Sequence, residues 1–409
     1  MTKIKLYKNK DVRECIIQLP SSKSIANRVL LIQQLCKEPF HIKNLSKAAD
    51  TEVLVEALKG NSTTIDIQDA GTACRFICAY LATQAGAYTL TGTARMQQRP
   101  MKPLVDALNS IGANISYLDK EGYLPLSFKN TEIIGGTIQI DASMSSQFVS
   151  ALLLIAPTLK NGLTIQLKNT VSMDYIIMTI ELMKYFGIEV EHDEQSISIA
   201  PQSYKAQNIS IESDWSSASY FFSIAAMIPN SRIQLNNLTV YSLQGDVVCS
   251  YIATQLGAET HLLGDNIAVR QEAISLSHFE YDFKDCPDLV MTFAVLCALK
   301  KIKARFKNIN HLAYKESNRL LALQSELAKL NCAFYPSEDA WMIEPKEIDF
   351  NQVFEITTYG DHRMAMAFAP LAFISKAVVF DHAEVVKKSF PDFWNQVAKC
   401  GLEIHLIEE

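Results

Sequence analysis

The chain has 409 residues, of which 48% are hydrophobic and 20% are charged, and its formal net charge is −6. This composition is typical of a globular protein with room for two domains of about 200 residues each, and it excludes a generally basic surface for nucleic acid. No run approaches the roughly 20 apolar residues of a membrane helix, and the N-terminus lacks the apolar core of a signal peptide. We therefore predict a cytoplasmic protein.

Nine cysteines are scattered along the chain without a CxxC pair or a nearby histidine at metal-ligand spacing. Dispersed cysteines in a chain without a secretion signal are typical of reduced thiols that pack in the core. No set of His, Cys and carboxylate residues has the spacing of a metal site either. The sequence thus predicts no metal site and no disulfide.

A helical pattern ends at Gly or Asn and turns into a strand in six places, at Gly60, Gly112, Gly187, Gly257, Asn331 and Gly401. These residues can adopt the left-handed conformation that ends a helix. The six positions differ by 52, 75, 70, 74 and 70 residues, a period that suits an α/β unit of two helices and several strands. Six units divide into two domains of three, and the short first interval predicts that the first unit lacks a strand pair between Gly60 and Asp69.

Four polar motifs in the first half stand where a helix is predicted to begin. Residues 20–28 (PSSKSIANR) follow a predicted strand and combine Ser, Lys and Arg, which can cap a helix and also hold an anion. Residues 69–75 (DAGTACR) and 145–147 (SSQ) repeat this arrangement, and residues 95–100 (RMQQRP) place two arginines before the next helix. Gly71 would let a ligand approach the backbone. Each motif taken alone is explained by helix capping.

The second half carries more ionisable motifs. Residues 314–319 (YKESNR) place Lys315 and Arg319 four apart, which predicts one helical face with Glu316 beside them. Residues 360–366 (GDHRMAM) begin an apolar helix with three ionisable residues in a row, and Lys388 adds a cation near a turn. In an acidic chain, cations placed beside Gly, Ser and Pro indicate a pocket for small anions.

In order and over nearly the whole chain, these motifs resemble those of the 5-enolpyruvylshikimate-3-phosphate synthase (EPSP synthase) family. The matching residues are Ser22-Lys23-Ser24 with Asn27-Arg28, Ala70-Gly71-Thr72-Ala73 with Arg75, Arg99-Pro100, Ser145-Ser146-Gln147-Phe148, Ser172 with Tyr175, Gln244-Gly245-Asp246, Pro287-Asp288, Lys315-Glu316-Ser317 with Arg319, and Asp361-His362-Arg363-Met364-Ala365-Met366. One segment alone is weak evidence. The ordered set is specific, because it occurs together with the six-fold repeat that this family also has.

The resemblance implies an α/β fold of two similar domains, each built from three βαβαββ-like repeats as an inside-out α/β barrel, with the first repeat shortened. Residues 20–211 would form the N-terminal enolpyruvyl transferase domain. Residues 1–19 and 212–409 would form the C-terminal one.

The resemblance also implies a division of the site residues between two small-molecule substrates, shikimate-3-phosphate and phosphoenolpyruvate. Those expected to bind shikimate-3-phosphate are Lys23, Ser24, Arg28, Ser145, Ser146, Gln147, Ser172, Tyr175, Asp288, His311 and Lys315. Those expected to bind phosphoenolpyruvate are Lys23, Gly71, Arg75, Arg99, Gln147, Arg319, Arg363 and Lys388. Those expected to be catalytic are Lys23, Asp288, Glu316 and His362.

The implied reaction is the transfer of an enolpyruvyl group by addition and elimination, which needs acid–base groups and no covalent nucleophile. Asp288 would accept the proton of the attacking hydroxyl, with Lys23 beside it. Glu316 would protonate the methylene carbon and later take that proton back. Neither a metal nor an organic cofactor is implied, nor is a nucleic-acid or membrane partner, and we expect a monomer.

Four positions depart from the usual family pattern, namely Ser21, Asp69, Ala313 and Asn318. Asp69 matters most, because it would place a carboxylate near anionic ligands and weaken phosphoenolpyruvate binding unless it pairs with a neighbouring cation. These departures leave open a catalytically weak or silent paralogue that only binds shikimate-3-phosphate. A second alternative is an enzyme that transfers enolpyruvate to UDP-N-acetylglucosamine, although Ser22-Lys23-Ser24 stands where that enzyme usually has Gly-Ala-Lys-Asn.

Overall fold

The structure, a computed structural model, describes residues 2–264 and 266–407. Its strands in chain order are β1 (Lys3–Lys8), β2 (Glu14–Gln18), β3 (Ile42–Lys43), β4 (Thr64–Asp66), β5 (Tyr88–Thr91), β6 (Asn114–Tyr117), β7 (Leu126–Lys129), β8 (Gly136–Asp141), β9 (Leu163–Lys168), β10 (Glu191–His192), β11 (Ser196–Ile199), β12 (Ile209–Ser210), β13 (Arg232–Asn236), β14 (Ala258–Leu263), β15 (Asn266–Gln271), β16 (His278–Asp282), β17 (Lys303–Lys307), β18 (Cys332–Pro336), β19 (Ala340–Pro345), β20 (Val353–Ile356), β21 (Ala377–Phe380) and β22 (Leu402–Ile407).

The helices alternate with these strands. They are α1 (Lys23–Leu35), α2 (Ala49–Leu58), α3 (Gly71–Ala82), α4 (Lys102–Ser110), α5 (Gln147–Ile155), α6 (Met173–Tyr185), α7 (Trp215–Met227), α8 (Cys249–Gln255), α9 (Val290–Leu299), α10 (Arg319–Lys329), α11 (His362–Phe368) and α12 (Phe393–Ala398). Short 3-10 helices lie at Met96–Gln98, Ala156–Thr158, Gly245–Val248, Pro287–Leu289, Asn310–Tyr314, Ala369–Phe373 and Ala383–Lys388. In the described part of the chain, no helix has the length and apolar character needed to cross a bilayer.

Five four-stranded sheets share one pattern, and it is the βαβαββ repeat predicted from the sequence. In the repeat β16-α9-β17-α10-β18-β19, the first two strands pair in parallel and the last two form a hairpin that adds antiparallel to β17. The other four sheets have the orders β4-β5-β7-β6, β8-β9-β11-β10, β2-β13-β15-β14 and β20-β21-β1-β22. Within residues 2–264 and 266–407 the sheets are separate and open. The predicted barrel is therefore built from separate sheets and is not one closed sheet.

The shortened first repeat is confirmed. Its sheet consists of β3 and β12 alone, paired in parallel. After α2 the chain passes directly to β4, the first strand of the next sheet, without forming a hairpin.

The chain forms two compact units, and the strands next to each crossing pair with strands that are distant in sequence. The N-terminal unit comprises Ser22–Ile211, and the C-terminal unit comprises Met1–Ser21 with Glu212–Glu409. Strand β2 precedes α1 in sequence yet pairs in parallel with β13 of the C-terminal unit, whereas β12 pairs with β3. Strand β1 joins the last sheet, between β21 and β22.

Apolar helices form the interior of each unit. All residues of α9 are buried, and α5 is buried from Phe148 onward. A helix that is apolar on all sides must be enclosed on all sides, and the half-buried pattern of strands such as β17 (alternately exposed and buried) suits sheets that face solvent on one side.

The six helix-terminating positions behave as predicted. Gly60, Gly112, Gly187, Gly257, Asn331 and Gly401 all have positive φ, between 52° and 108°. All nine cysteines are free thiols, seven of them buried.

Candidate active site

In the N-terminal unit, Ser22 and Lys23 begin α1. The Ser22 hydroxyl accepts a hydrogen bond from the Ile25 amide (3.4 Å), which fixes the first turn of the helix. Lys23 Nζ donates to Asp50 Oδ2 at 2.9 Å, and both side chains are largely buried. Asp50 lies on α2 and was not predicted to contribute to the site; its position near the start of that helix had only the ordinary signature of a helix N-terminus.

Arg28 lies one turn further along α1, and its side chain is buried. It donates four hydrogen bonds, to the carbonyls of Ser24 and Tyr175 and to the hydroxyls of Thr179 and Ser150, at 2.7–3.2 Å. Burial lowers the pKa of Arg28 to about 10. These bonds tie α1 to α5 and to the first two turns of α6, so Arg28 holds the backbone of two predicted binding residues, Ser24 and Tyr175, in place. Direct contact with shikimate-3-phosphate stays a prediction.

Gly71, Arg75 and Arg99 form one cluster around the start of α3. Arg75 is buried, donates to the carbonyls of Gly71 (3.0 Å) and Pro100 (3.1 Å), and lies over the Phe148 ring. The guanidinium of Arg99 lies so close to Gly71 that an added Cβ would be 2.3 Å from its Nη1. Because Gly71 does not have positive φ, a larger residue here would be opposed by the Arg99 guanidinium and not by backbone conformation.

The hydroxyl-rich helix starts of the same unit are also where the sequence predicts them. Ser145 Oγ accepts from the amide of Gln147 (3.2 Å), and Gln147 Nε2 donates to Thr72 on α3 (2.9 Å). Ser146 is buried in the position before α5. Ser172 precedes α6 in the left-handed conformation (φ 56°), and its carbonyl accepts from the Tyr175 amide.

Asp69, the departure of greatest concern, accepts a hydrogen bond from the hydroxyl of Thr93. This hydroxyl is a neutral partner, so the pairing of Asp69 with a neighbouring cation stays a prediction.

In the C-terminal unit, Asp288 lies between two arginines. Arg363 Nη2 donates to its Oδ2 at 2.5 Å, and Arg319 Nη1 donates to its Oδ1 at 3.3 Å. Arg363 Nη1 also donates to the hydroxyl of Tyr220 (3.2 Å), a buried residue on α7 that no sequence motif indicated. Asp288 is thus fixed in the short 3-10 helix before α9 by bonds from α10 and α11.

Arg319 is the centre of this network and is 1% exposed. In addition to Asp288, it donates to Asp361 Oδ2 through Nε (2.9 Å) and to Glu316 Oε2 through Nη2 (2.8 Å). Asp361 is fully buried and also caps α11 by accepting from the Arg363 amide (2.9 Å). The sequence motif included Asp361 but gave it no role; it orients both arginines that hold Asp288.

The prediction that Lys315 and Arg319 share a helical face is wrong. Helix α10 begins only at Arg319, because the side chain of Asn318 caps it by accepting from the Leu321 amide (3.3 Å). Lys315 instead ends the 3-10 helix Asn310–Tyr314 in extended conformation. Asn318, one of the four departures from the family pattern, therefore has a clear structural role.

The charges of this cluster shift its ionisation. Burial alone would raise the pKa of Asp288, but Arg363, Arg319 and Lys315 outweigh it and hold this pKa well below its ordinary value. Burial, followed by the positive charge of Lys315, lowers the pKa of His311 to about 3. At neutral pH, Asp288 is therefore a carboxylate and His311 a neutral imidazole.

His362, Lys388 and Asp246 complete the polar groups of this region. His362 is buried at the start of α11, with Nδ1 3.6 Å from Asp361 Oδ1, and Lys388 ends the 3-10 helix Ala383–Lys388. Asp246 is buried and accepts from the hydroxyl of Ser216. Burial, followed by the negative charge of Asp288, raises the pKa of Asp246 to about 7.

The predicted residues therefore fall into two clusters, one in each unit. The N-terminal unit holds Lys23, Arg75 and Arg99, and in the C-terminal unit two carboxylates, Asp288 and Glu316, accept from the one guanidinium of Arg319. Among residues 2–264 and 266–407, no three His, Cys, Asp or Glu side chains are grouped to hold a metal ion.

Comparison with known proteins identifies the same family over nearly the whole chain. The family model for EPSP synthase (3-phosphoshikimate 1-carboxyvinyltransferase) matches residues 59–397. A protein of Bacteroides fragilis (strain YCH46) named 3-phosphoshikimate 1-carboxyvinyltransferase is 42% identical over 396 residues, covering 96% of this chain and 97% of its own. One of Shewanella halifaxensis with the same name is 34% identical, covering 93% and 95%.

Solved structures agree on the fold. An EPSP synthase from Acinetobacter baumannii superimposes with a TM-score of 0.80 at 20% sequence identity, covering all of both chains. The ordered motifs, the six-repeat architecture and these matches lead to one conclusion: the chain belongs to the EPSP synthase family.

Proposed function

We propose that this chain transfers the enolpyruvyl group of phosphoenolpyruvate to the 5-hydroxyl of shikimate-3-phosphate and releases inorganic phosphate, a step of the shikimate pathway of aromatic amino-acid biosynthesis. The family membership supports the reaction. One observation supports this reaction at the level of residues. The two predicted acid–base groups, Asp288 and Glu316, both accept hydrogen bonds from the guanidinium of Arg319.

Asp288 has the state that the addition step needs. The hydroxyl oxygen of shikimate-3-phosphate bonds to C2 of phosphoenolpyruvate, its proton passes to a base, and a proton is added at C3. Asp288 is ionised and can accept the hydroxyl proton, but two arginines make it a weak base. Anionic substrate groups that bind Arg363 and Arg319 would take over part of these bonds and raise the basicity of Asp288 once the substrates are in place.

Glu316 is placed for the second proton. Its carboxyl is largely buried and bonded to Arg319 (2.8 Å), so its position is fixed relative to Asp288. Glu316, after taking up a proton from solvent, would pass it to C3 in the addition step, and in the elimination step it would take a C3 proton back as the C2–O bond to phosphate breaks. The arginines would stabilise the negative charge on the departing phosphate.

The N-terminal cluster supplies the remaining binding groups. The resemblance assigns Lys23, Gly71, Arg75, Arg99 and Gln147 to phosphoenolpyruvate, and the proposal keeps this assignment. Lys23 is the first residue of α1 and is bonded to Asp50, and Arg75, one turn into α3, is bonded to the carbonyls of Gly71 and Pro100; these bonds limit the entropy that the two side chains would lose when an anion binds. The monomeric state and the cytoplasmic location stay predictions.

The decisive experiment is a phosphate-release assay with phosphoenolpyruvate and either shikimate-3-phosphate or UDP-N-acetylglucosamine. We expect release with the first acceptor only. The Glu316→Gln variant should fold and lose roughly 10²–10⁴-fold in kcat, the usual contribution of a general acid–base group.

The matched control is Glu347→Gln, since Glu347 also forms an ion pair in the same unit, with Lys301, but is 88% exposed. It should turn over normally. Release with UDP-N-acetylglucosamine would favour the other transferase, and wild-type protein that binds shikimate-3-phosphate without any release would establish the silent paralogue. Near-normal turnover of Glu316→Gln would remove the assigned role.

A further inference from the structure

Glu326 is a fully buried carboxylate on α10 that belongs to no motif of the sequence. It lies seven residues, or two helical turns, after Arg319, and therefore near the same side of the helix. A buried carboxylate is costly unless its oxygens receive hydrogen bonds or a cation. The partners of Glu326 thus indicate what the residue holds in place.

Two of these partners belong to the loop between β20 and α11. Glu326 Oε2 accepts from the backbone amide of Thr357 (3.2 Å), and Oε1 accepts from the hydroxyl of Tyr359 (3.0 Å). The third partner, Lys329, donates to Oε2 (2.7 Å) from the solvent side, where its own side chain is 40% exposed.

The loop needs such support because of its backbone. Tyr359 and Gly360 both have positive φ, 54° and 67°. The left-handed conformation is unfavourable for a residue with a side chain such as Tyr359, so it persists only where surrounding contacts fix it. The next three residues are Asp361, which orients Arg319, and then His362 and Arg363.

We propose that Glu326 is a positioning residue for phosphoenolpyruvate binding, acting through the loop that carries Asp361 and Arg363. Helix α10 holds this loop at two points, with Arg319 bound to Asp361 at its first residue and Glu326 bound to Thr357 and Tyr359 two turns later. These bonds fix the positions of Arg319 and Arg363 relative to each other, and both guanidiniums are assigned to phosphoenolpyruvate. This inference rests on the proposed function for its ligand, but not for its geometry.

The kinetic test compares Glu326→Gln, Tyr359→Phe and the control Lys329→Met. Tyr359→Phe removes the hydroxyl's bonds to Glu326 Oε1 and to Ser325 but keeps the Thr357 bond, and Tyr359 is 41% exposed, so this variant should fold normally. Loss of one such bond should raise the KM for phosphoenolpyruvate roughly 2- to 10-fold, and the KM for shikimate-3-phosphate should change less than about 2-fold, within the spread of a neutral substitution. Lys329→Met removes the ion pair and a bond to the Glu355 carbonyl on β20 (2.8 Å), but neither bond of Glu326 to the loop, and its two KM values should stay near wild type.

Amide hydrogen exchange of the loop tests the same inference without turnover. The Thr357 amide should exchange faster in Glu326→Gln and in Glu326→Ala, with the larger effect in Ala because Gln retains an acceptor oxygen. A wild type without phosphate release would refute the proposed function while exchange still decides the role of Glu326. Unchanged exchange, unchanged KM for phosphoenolpyruvate in Tyr359→Phe, or a Lys329→Met variant as impaired as Glu326→Gln would each overturn the inference.

Discussion

Replacing Gly71 with alanine should damage phosphoenolpyruvate binding by displacing Arg99. The new Cβ would lie 2.3 Å from Arg99 Nη1 and 2.7 Å from its Cζ and Nη2. Ordinary contacts between such atoms begin near 3.5 Å, so the guanidinium must move by about 1 Å. Gly71 is the first residue of α3 and lies among buried residues, which leaves the end of the Arg99 side chain as the part that yields.

A shift of about 1 Å is enough to misalign a bond from a guanidinium to an anion. Charge-assisted hydrogen bonds contribute about 1.5–3 kcal/mol, so the loss of one should lower kcat/KM for phosphoenolpyruvate roughly 10- to 150-fold. The KM for shikimate-3-phosphate should change little, since Arg99 is assigned to the other substrate. Thermal stability should fall only slightly, because a flexible side chain moves and no cavity forms.

A double-mutant cycle separates this mechanism from general damage to α3. In an Arg99→Ala background the clashing guanidinium is gone, so adding Gly71→Ala should cost less than about 2-fold, the additivity limit for independent sites. Phosphate release at saturating shikimate-3-phosphate gives the four values of kcat/KM. If Gly71→Ala costs as much without Arg99 as with it, displacement of Arg99 is not the cause.

Two further predictions concern pH and have opposite signs. The pKa of His311 is about 3 in the folded protein and about 6.5 in the unfolded chain. The neutral imidazole therefore stabilises the fold fully above pH 6.5, and this stabilisation is lost as the pH falls below 6.5. The free energy of unfolding should drop by about 1.4 kcal/mol between pH 7.5 and 5.5, and His311→Gln should abolish this drop. The pKa of Asp246 is about 7 in the folded protein and about 3.9 in the unfolded chain. The protonated carboxyl therefore stabilises the fold at acidic pH, and this stabilisation is lost as the pH rises through 7. From pH 7.5 to 5.5 it should add about 1–2 kcal/mol to the free energy of unfolding, and Asp246→Asn should remove this gain. Urea unfolding at both pH values checks both, and parallel pH dependence in wild type and variants would contradict them.

The repeat architecture could be predicted because its signals are local. Each helix that ends at Gly or Asn marks a unit, and a positive φ at Gly257 or Asn331 is required whatever packs nearby. The missing hairpin of the first repeat likewise followed from one short interval. The pairing of β2 with β13 and of β12 with β3 has no comparable local signal, since it depends on which distant strand the chain meets.

One site prediction failed for a local reason. The spacing of Lys315 and Arg319 fits a helix, but Asn318 is a better capping residue than a helix-interior residue, and its side chain accepts from the Leu321 amide. The helix therefore begins after the motif. Capping chemistry was the stronger signal at this position, and spacing alone gave the wrong element.

Five of the predicted site residues share one position in the fold, the start of a helix. Lys23, Gly71, Gln147, Arg319 and His362 each stand in the first turn of their helix. At this position the sequence changes from a strand or loop to an apolar helix, and polar residues mark the change. The free backbone amides of the first helical turn also carry partial positive charge, which attracts an anion.

The acids that hold these cations could not be found in the same way. Asp50, Asp361 and Glu326 each bond to residues that lie between 2 and 42 positions away, and most of these partners are set by the packing of separate elements. An acid on a helix has the same local sequence whether it faces solvent or a buried arginine. Their roles follow only from burial: a carboxylate that is less than 5% exposed must have partners, and those partners are the cations and the loop that the proposed reaction needs.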